Sequence, residues 1–259
     1  MQDTLKVAII QSSLVWENPK TNRELFSEKI EKISETVDLI LLPEMFTTGF
    51  TMTPENAYET MEGETINWMV TIAKTKQSAI GGSLVIKENE TFYNRFVFVS
   101  PEGVITTYDK RHTFTLAGED KVYKAGTEKV ILDYIGWKIC PLICYDLRFP
   151  VWARNVEDYD VLIYVANWPK PRVNAWDTLL KARAIENMSY CIGVNRVGTD
   201  DYEHEYVGHS GIYDSLGEEL CKITDGVEKT AIVVLEKEHL NATRNNLKFL
   251  DDRDSFTVE

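Results

Sequence analysis

The sequence predicts an α/β fold, with a pattern compatible with two sheets packed face to face and helices outside. Three observations point there. Short apolar runs rich in Val, Ile and Leu recur along the 259 residues, with the length and branching of strands, several of them buried on both faces. Helical stretches lie between these runs, so strand and helix stay mixed throughout. Two units, one in each half, repeat the order helix, strand, hairpin with a glycine at its bend; internal duplication explains this, and chance likeness is the competing explanation.

The strand-like runs cover residues 6–10, 37–42, 79–86, 92–100, 138–144, 161–165, 191–195 and 231–235. Helical patterns cover 22–35, 65–76, a short stretch around 150–156, and 174–188, where Trp176, Leu179, Leu180 and Ala184 recur at helical spacing. Turn signals fall at Gly81-Gly82, at Pro101-Glu102-Gly103 and at Ser215-Leu216-Gly217. No linker or low-complexity tract divides the chain, so residues 1–259 are expected to form a single domain. The polar tail after about residue 236 is expected to pack late or to reach a dimer interface.

Composition excludes several function classes. A formal charge of −13 disfavours binding to nucleic acid phosphates or to an anionic membrane surface. No apolar run approaches the roughly 18 residues that span a bilayer, and the N-terminus lacks the basic start and long apolar stretch of a signal peptide, so a cytoplasmic location is expected. The Asn89-Glu-Thr91 and Asn241-Ala-Thr243 patterns then carry no meaning as glycosylation acceptors. The four cysteines, at 140, 144, 191 and 221, contain no CxxC pair and read as free thiols.

Cys144 carries the strongest local signal. An apolar strand stops at it, and polar residues lead on to Pro150, which suits a helix start. A thiol at such an elbow becomes a nucleophile if a neighbour lowers the cost of its thiolate. An inert buried thiol is the competing reading for any lone Cys, and Cys140, Cys191 and Cys221 fall to it. Glu44 ends the run Asp38-Leu-Ile-Leu-Leu-Pro-Glu44, where desolvation would raise a carboxylate toward the range of a general base; a solvated loop Glu is the alternative. Lys110 closes a third strand-like segment, where an ammonium would stabilise an oxyanion and favour the thiolate; alone it would be a surface Lys. His204, Glu205 and His209 lack helical zinc spacing, and neither GxGxxG nor a P-loop is present, so neither a metal nor a nucleotide site is expected from these patterns.

Leu42-Pro-Glu-Met-Phe-Thr-Thr-Gly-Phe50, Tyr108-Asp-Lys-Arg-His112 and Ile143-Cys-Tyr-Asp-Leu-Arg-Phe-Pro150 together resemble the three catalytic motifs of the nitrilase superfamily of carbon–nitrogen hydrolases. The resemblance runs from residue 5 to about 235. Ala166-Asn-Trp-Pro169, residues 180–187 and residues 193–198 are similar to the bacterial ω-amidase branch. The resemblance implies a four-layer αββα sandwich that dimerises through helices near the nucleophile. It implies Glu44 as general base, Lys110 as stabiliser of the tetrahedral intermediate, Cys144 as nucleophile and Glu119 as an additional active-site glutamate. The branch implies hydrolysis of the terminal amide of 2-oxoglutaramate and 2-oxosuccinamate, with ammonia released and no cofactor, in the context of methionine salvage.

A distal substrate carboxylate needs a cationic partner, for which Arg111, Arg183 and Arg196 are candidates. Phe46, Tyr145 and Trp168 flank the motifs as candidate pocket walls; filling core is the alternative for each. Two other readings compete: an N-carbamoyl amino acid amidohydrolase or other aliphatic amidase with the same chemistry, and a non-catalytic dimer that only holds a metabolite.

Overall fold

The computed structural model describes residues 2–223 and 226–258. β1 (Thr4–Gln11) leads through α1 (Pro19–Glu31) to β2 (Leu39–Leu41), and α2 (Glu64–Lys76) leads on to β3 (Ala79–Glu88). These three strands run parallel, as helical crossovers require. β4 (Thr91–Val99) and β5 (Ile105–Asp109) then add on as an antiparallel meander.

The second half repeats this plan. β6 (Leu132–Tyr134) turns into β7 (Trp137–Ile143), followed by α3 (Pro150–Ala153), β8 (Val161–Ala166), α4 (Val173–Asn187) and β9 (Tyr190–Asn195). β7, β8 and β9 are parallel. A separate two-stranded ribbon, β10 (Val197–Thr199) with β11 (Glu205–Val207), precedes β12 (Gly211–Tyr213) and β13 (Glu219–Lys222), which extend the sheet antiparallel to β9. β14 (Lys229–Glu236) returns to pair with β1, and α5 (Lys237–Leu247) follows. The sheet orders are β14-β1-β2-β3-β4-β5 and β13-β12-β9-β8-β7-β6. Each has three parallel strands, two antiparallel strands beyond them, and one antiparallel strand on the other edge. The duplication expected from the sequence is therefore present in the connectivity, with the β10–β11 ribbon as an addition to the second half.

Alternation along the strands sets the layers. Leu5, Val7 and Ile9 of β1 and Leu39 and Leu41 of β2 share an apolar cluster with Ile139 and Ile163 of the second sheet. Ala8, Ile10, Ile40 and Leu42 point the other way, onto Phe26 and Ile30 of α1 and Ile66, Met69 and Ala73 of α2. On the second sheet, α4 lays Trp176 and Leu180 over Gly193, where a Cβ would fall 2.4 Å from Leu180 Cδ1 and 2.7 Å from Trp176 Cζ2. Helices thus cover two sheets packed face to face, as expected.

Several boundaries differ from the sequence reading. Gly81 and Gly82 lie inside β3 rather than at a turn; a Cβ would meet Phe96 at 2.8 Å on one face and Phe46 at 2.9 Å on the other, so their smallness serves close packing. The first helix begins at Pro19 rather than 22, because the Asn18 side chain caps it by accepting from the Thr21 N–H at 3.1 Å. The tail forms α5, which buries Leu240 and fastens to its own chain: Arg244 donates to the carbonyls of Met188 and Tyr159 at 2.7 and 2.6 Å.

The Gly193 contact sets the seat of α4. Gly193→Ala is expected to destabilise the fold by about 1–3 kcal/mol through overpacking against Trp176 and Leu180, read as a lowered thermal midpoint.

Candidate active site

The site forms where the carboxyl ends of parallel strands meet loops from both halves, the usual crevice of such sheets. Glu44 lies just past β2, Cys144 follows β7 directly, and Asn167 follows β8; Lys110 follows β5, and Glu119 opens a short 3-10 turn, Glu119–Lys121.

Cys144 begins a 3-10 turn, Cys144–Arg148, with φ at +44°. The first N–H groups of such a turn lack partners within it and point forward. Two buried side chains brace the turn. Asp146 accepts the Ile143 N–H at 3.0 Å, and Arg183 of α4 donates to the Leu147 carbonyl at 2.7 Å.

Below the sulfur lies a closed ionic cluster. Lys110 Nζ donates to Glu44 Oε1 at 2.9 Å and to Glu119 at 2.9 Å (Oε2) and 3.1 Å (Oε1). All three side chains are buried, so each charge needs the others. Asn94 of β4 donates its amide to both carboxylates, at 2.8 Å to Glu44 and 3.2 Å to Glu119. The Asn167 N–H donates to Glu44 Oε2 at 2.7 Å, and its amide holds the Glu44 carbonyl, also at 2.7 Å. The Glu44 carboxylate is close enough to the Cys144 thiol to act on its ionisation.

The electrostatics separate the roles each group can take. Burial pulls the Lys110 ammonium toward neutrality, but the charges of Glu119 and Glu44 outweigh it and hold the amine firmly protonated. Burial raises Glu119, Lys110 pulls it down and Glu44 raises it again, leaving it above the ordinary carboxylate range. Burial and then the Glu44 charge push the Cys144 thiol well above its usual value, with Lys110 the opposing influence. The resting sulfur is therefore a thiol that must pass its proton to a base in contact with it, while the lysine is a fixed cation.

The cluster floors a cavity of about 460 Å³. Its walls include Phe50, Phe114, Tyr145 and Trp168, and its rim carries Arg148 and Arg172. The Arg148 guanidinium lies 4.9 Å from the Trp168 ring centre, and that of Arg172 lies 5.2 Å from Phe114. Among the described residues neither forms an ion pair with a carboxylate, whereas Asp200, on the same wall, is engaged by the N–H groups of Tyr202 and His204 and by the Tyr206 hydroxyl.

Of the residues singled out from sequence, Glu44, Lys110, Cys144 and Glu119 come together, and Tyr145 and Trp168 line the cavity. The others go elsewhere. Phe46 is core: it meets Phe26 edge-on at 5.5 Å and Trp68 at 5.9 Å, on the sheet face opposite the other half. Arg111 lies outside the lining, donating to the Gly126 carbonyl with its guanidinium over Trp152. Arg183 braces the nucleophile turn, and Arg196 is spent on the carbonyls of Leu14, Val197 and Thr199. Sequence reasoning missed Asn94, Arg148, Arg172 and the amide role of Asn167. His204 and His209 pair with different carboxylates, Asp200 and Asp177, so they do not converge on one point.

The carbon–nitrogen hydrolase family profile matches residues 6–245. The chain belongs to that family. It is 45% identical over 256 residues to an omega-amidase, YafV, of Yersinia enterocolitica, covering 98% of this chain and 99% of the relative. It is 31% identical to a 2-oxoglutaramate amidase of Bacillus subtilis, covering 95% and 96% of the two chains. A CN-hydrolase superfamily protein from Xanthomonas campestris, whose crystal structure carries an arsenic adduct in the active site, superposes with a TM-score of 0.97 at 37% identity, over 100% of both chains. Fold and kinship therefore agree: this is an amidohydrolase of the nitrilase superfamily, of the omega-amidase-like branch.

Removing the cation isolates the cluster's electrostatics. Lys110→Met leaves Glu44 and Glu119 facing each other without a countercharge and is expected to cost about 3–5 kcal/mol of stability. Glu119 then loses the largest influence that lowers it, with only the Phe114 N–H left to oppose the rise. A carboxyl held above its unfolded value stabilises the fold at low pH and loses that contribution as pH rises through the raised value. Thermal melts of Lys110→Met from pH 5 to 8 should therefore fall more steeply than those of the unmodified protein.

Proposed function

We propose that the protein hydrolyses the terminal amide of small dicarboxylic acid monoamides, with 2-oxoglutaramate and 2-oxosuccinamate as substrates, through a thioester on Cys144. The observation that carries this reading is the gathering of one thiol, one carboxylate and one locked ammonium at the floor of a cavity whose rim carries two guanidiniums that form no ion pair among the described residues. The names of the relatives from Yersinia enterocolitica and Bacillus subtilis support the substrate.

In the first half-reaction Glu44 takes the Cys144 proton as the sulfur attacks the amide carbon. The oxyanion is held by Lys110 and by the N–H of Tyr145, which follows the sulfur at the start of the turn and whose residue lines the cavity. The carbon–nitrogen bond breaks as Glu44 returns the proton to nitrogen, and ammonia departs. A water then loses a proton to Glu44 and attacks the thioester carbon; the carbon–sulfur bond breaks, the acid leaves, and the sulfur is reprotonated. Lys110 acts as cation rather than base because its two carboxylate neighbours keep its proton in place. Glu119 spends both oxygens on Lys110 and so aims the ammonium.

The distal carboxylate of the substrate lies with Arg148 and Arg172, replacing the assignment to Arg111, Arg183 or Arg196. The proposal extends to a single carbon–nitrogen hydrolase domain over residues 1–259, to the cytosol, where four free cysteines stay reduced, and to a homodimer. Val151 of α3 and Ile185 of α4, exposed on the helices beside the nucleophile turn, support the dimer. No helix among the described residues is long and apolar enough to cross a membrane.

Ammonia release should be fastest with 2-oxoglutaramate in a panel that includes glutamine, carbamoyl amino acids and nitriles; preference for a carbamoyl amino acid would move the protein to the competing amidohydrolase reading. Cys144→Ala should abolish turnover and the acyl adduct seen by intact-mass spectrometry with a slow substrate. Arg148→Ala and Arg172→Ala should each raise KM for 2-oxoglutaramate by about 10-fold or more, the value of a charge-assisted hydrogen bond. Neither should change KM for butyramide, which has no carboxylate.

A further inference from the structure

Asp146 stands two residues after Cys144, fully buried and outside the cavity lining. Its two oxygens are shared between two distant segments. Oδ2 accepts the Ile143 N–H at 3.0 Å, immediately before Cys144, and the Tyr108 hydroxyl at 2.7 Å. Oδ1 accepts the His112 N–H at 3.0 Å and lies 2.8 Å from His112 Nδ1. Tyr108 and His112 bracket Lys110 at equal distance along the chain. Around this centre the Tyr108 oxygen accepts from the Arg111 N–H and the Trp152 indole, both at 3.1 Å, and the His112 ring stacks on Phe149 with centres 3.6 Å apart.

Four donors on one side chain is a demand that a carboxylate meets and an amide does not, since an amide presents acceptors on only one of its two atoms. We infer that Asp146 is a positioning residue, a clamp joining the lysine-bearing loop to the nucleophile turn that fixes the Cys144 sulfur relative to the Lys110 ammonium. The inference rests on the proposed roles of those two residues. It adds that their alignment depends on a group that touches neither substrate nor sulfur. A misplacement of about 1 Å at a reacting centre can cost on the order of 10²-fold in rate.

The groups acting on the sulfur are Glu44 and Glu119, which oppose its ionisation, and Lys110, which favours it. A loosened clamp therefore slows alkylation of Cys144 as well as turnover, whereas a brace that only stabilised the fold would leave both alone. The test uses Asp146→Asn and His112→Phe in the full chain. It measures kcat and KM for 2-oxoglutaramate, and the rate of iodoacetamide alkylation of Cys144 against pH by peptide mass mapping. Asp146→Asn should lower kcat by about 10²-fold with KM changed less than about threefold, and should displace the alkylation profile to higher pH. His112→Phe keeps the backbone N–H and the stack on Phe149 and should act in the same direction, more weakly. A folded Asp146→Asn protein with unchanged kcat and alkylation profile overturns the clamp. If that variant does not fold, unchanged values in His112→Phe overturn it instead. Alkylation needs no turnover, so a displaced profile in a protein inert toward every amide would uphold the clamp and remove the substrate reading.

Discussion

An ammonium group lies 2.9 Å from each of two carboxylates that no solvent reaches. Taking three charges out of water costs several kcal/mol per ion, recovered only where geometry is good and the remaining lone pairs are satisfied. The surrounding structure meets that condition. Asn94 spans both carboxylates, the Asn167 N–H takes the outer oxygen of Glu44, and the Phe114 N–H binds Glu119. The ammonium and two carboxylates leave one net negative charge, which shows in the raised Glu119, and it disfavours a second on the Cys144 sulfur.

The duplicated topology explains how such a cluster is assembled. The first half contributes Glu44, Asn94, Lys110 and Glu119, and the second contributes Cys144 and Asn167. Each half ends its parallel strands at the same crevice, so the nucleophile and its ionic partners arrive from opposite sheets. Face-to-face packing of those sheets, through residues such as Val7, Leu41 and Ile163, controls their separation. Core side chains remote from the chemistry thus fix distances within it.

How much of this was legible follows from the physical signal each residue leaves. Glu44, Lys110 and Cys144 each terminate an apolar run, and a charged or reactive group delivered by a buried strand is conspicuous. Glu119 sits in a short polar turn and was found only through resemblance. Asn94 looks like one polar residue in an alternating strand, and nothing local distinguishes a side chain facing two buried carboxylates from one facing water. The arginines chosen from sequence were near the motifs, but direction decides: Arg183 and Arg196 point at carbonyls, while Arg148 and Arg172 lie over aromatic rings at the rim. Helix α5 escaped notice because it buries Leu240 alone and leaves almost no apolar stripe.

The protonated state of Cys144 has a bearing on survival in a cell. Peroxides and other oxidants act on sulfur anions far faster than on S–H, and the sulfenic acid they form leads toward irreversible damage. A nucleophile poised as a permanent anion would be exposed to that chemistry throughout its idle life. On the proposed mechanism the anion arises as Glu44 accepts the proton during attack on the carbonyl carbon, so the reactive species exists chiefly while that carbon is present to consume it. The same buried surroundings that make the sulfur reluctant to ionise therefore act as its antioxidant protection.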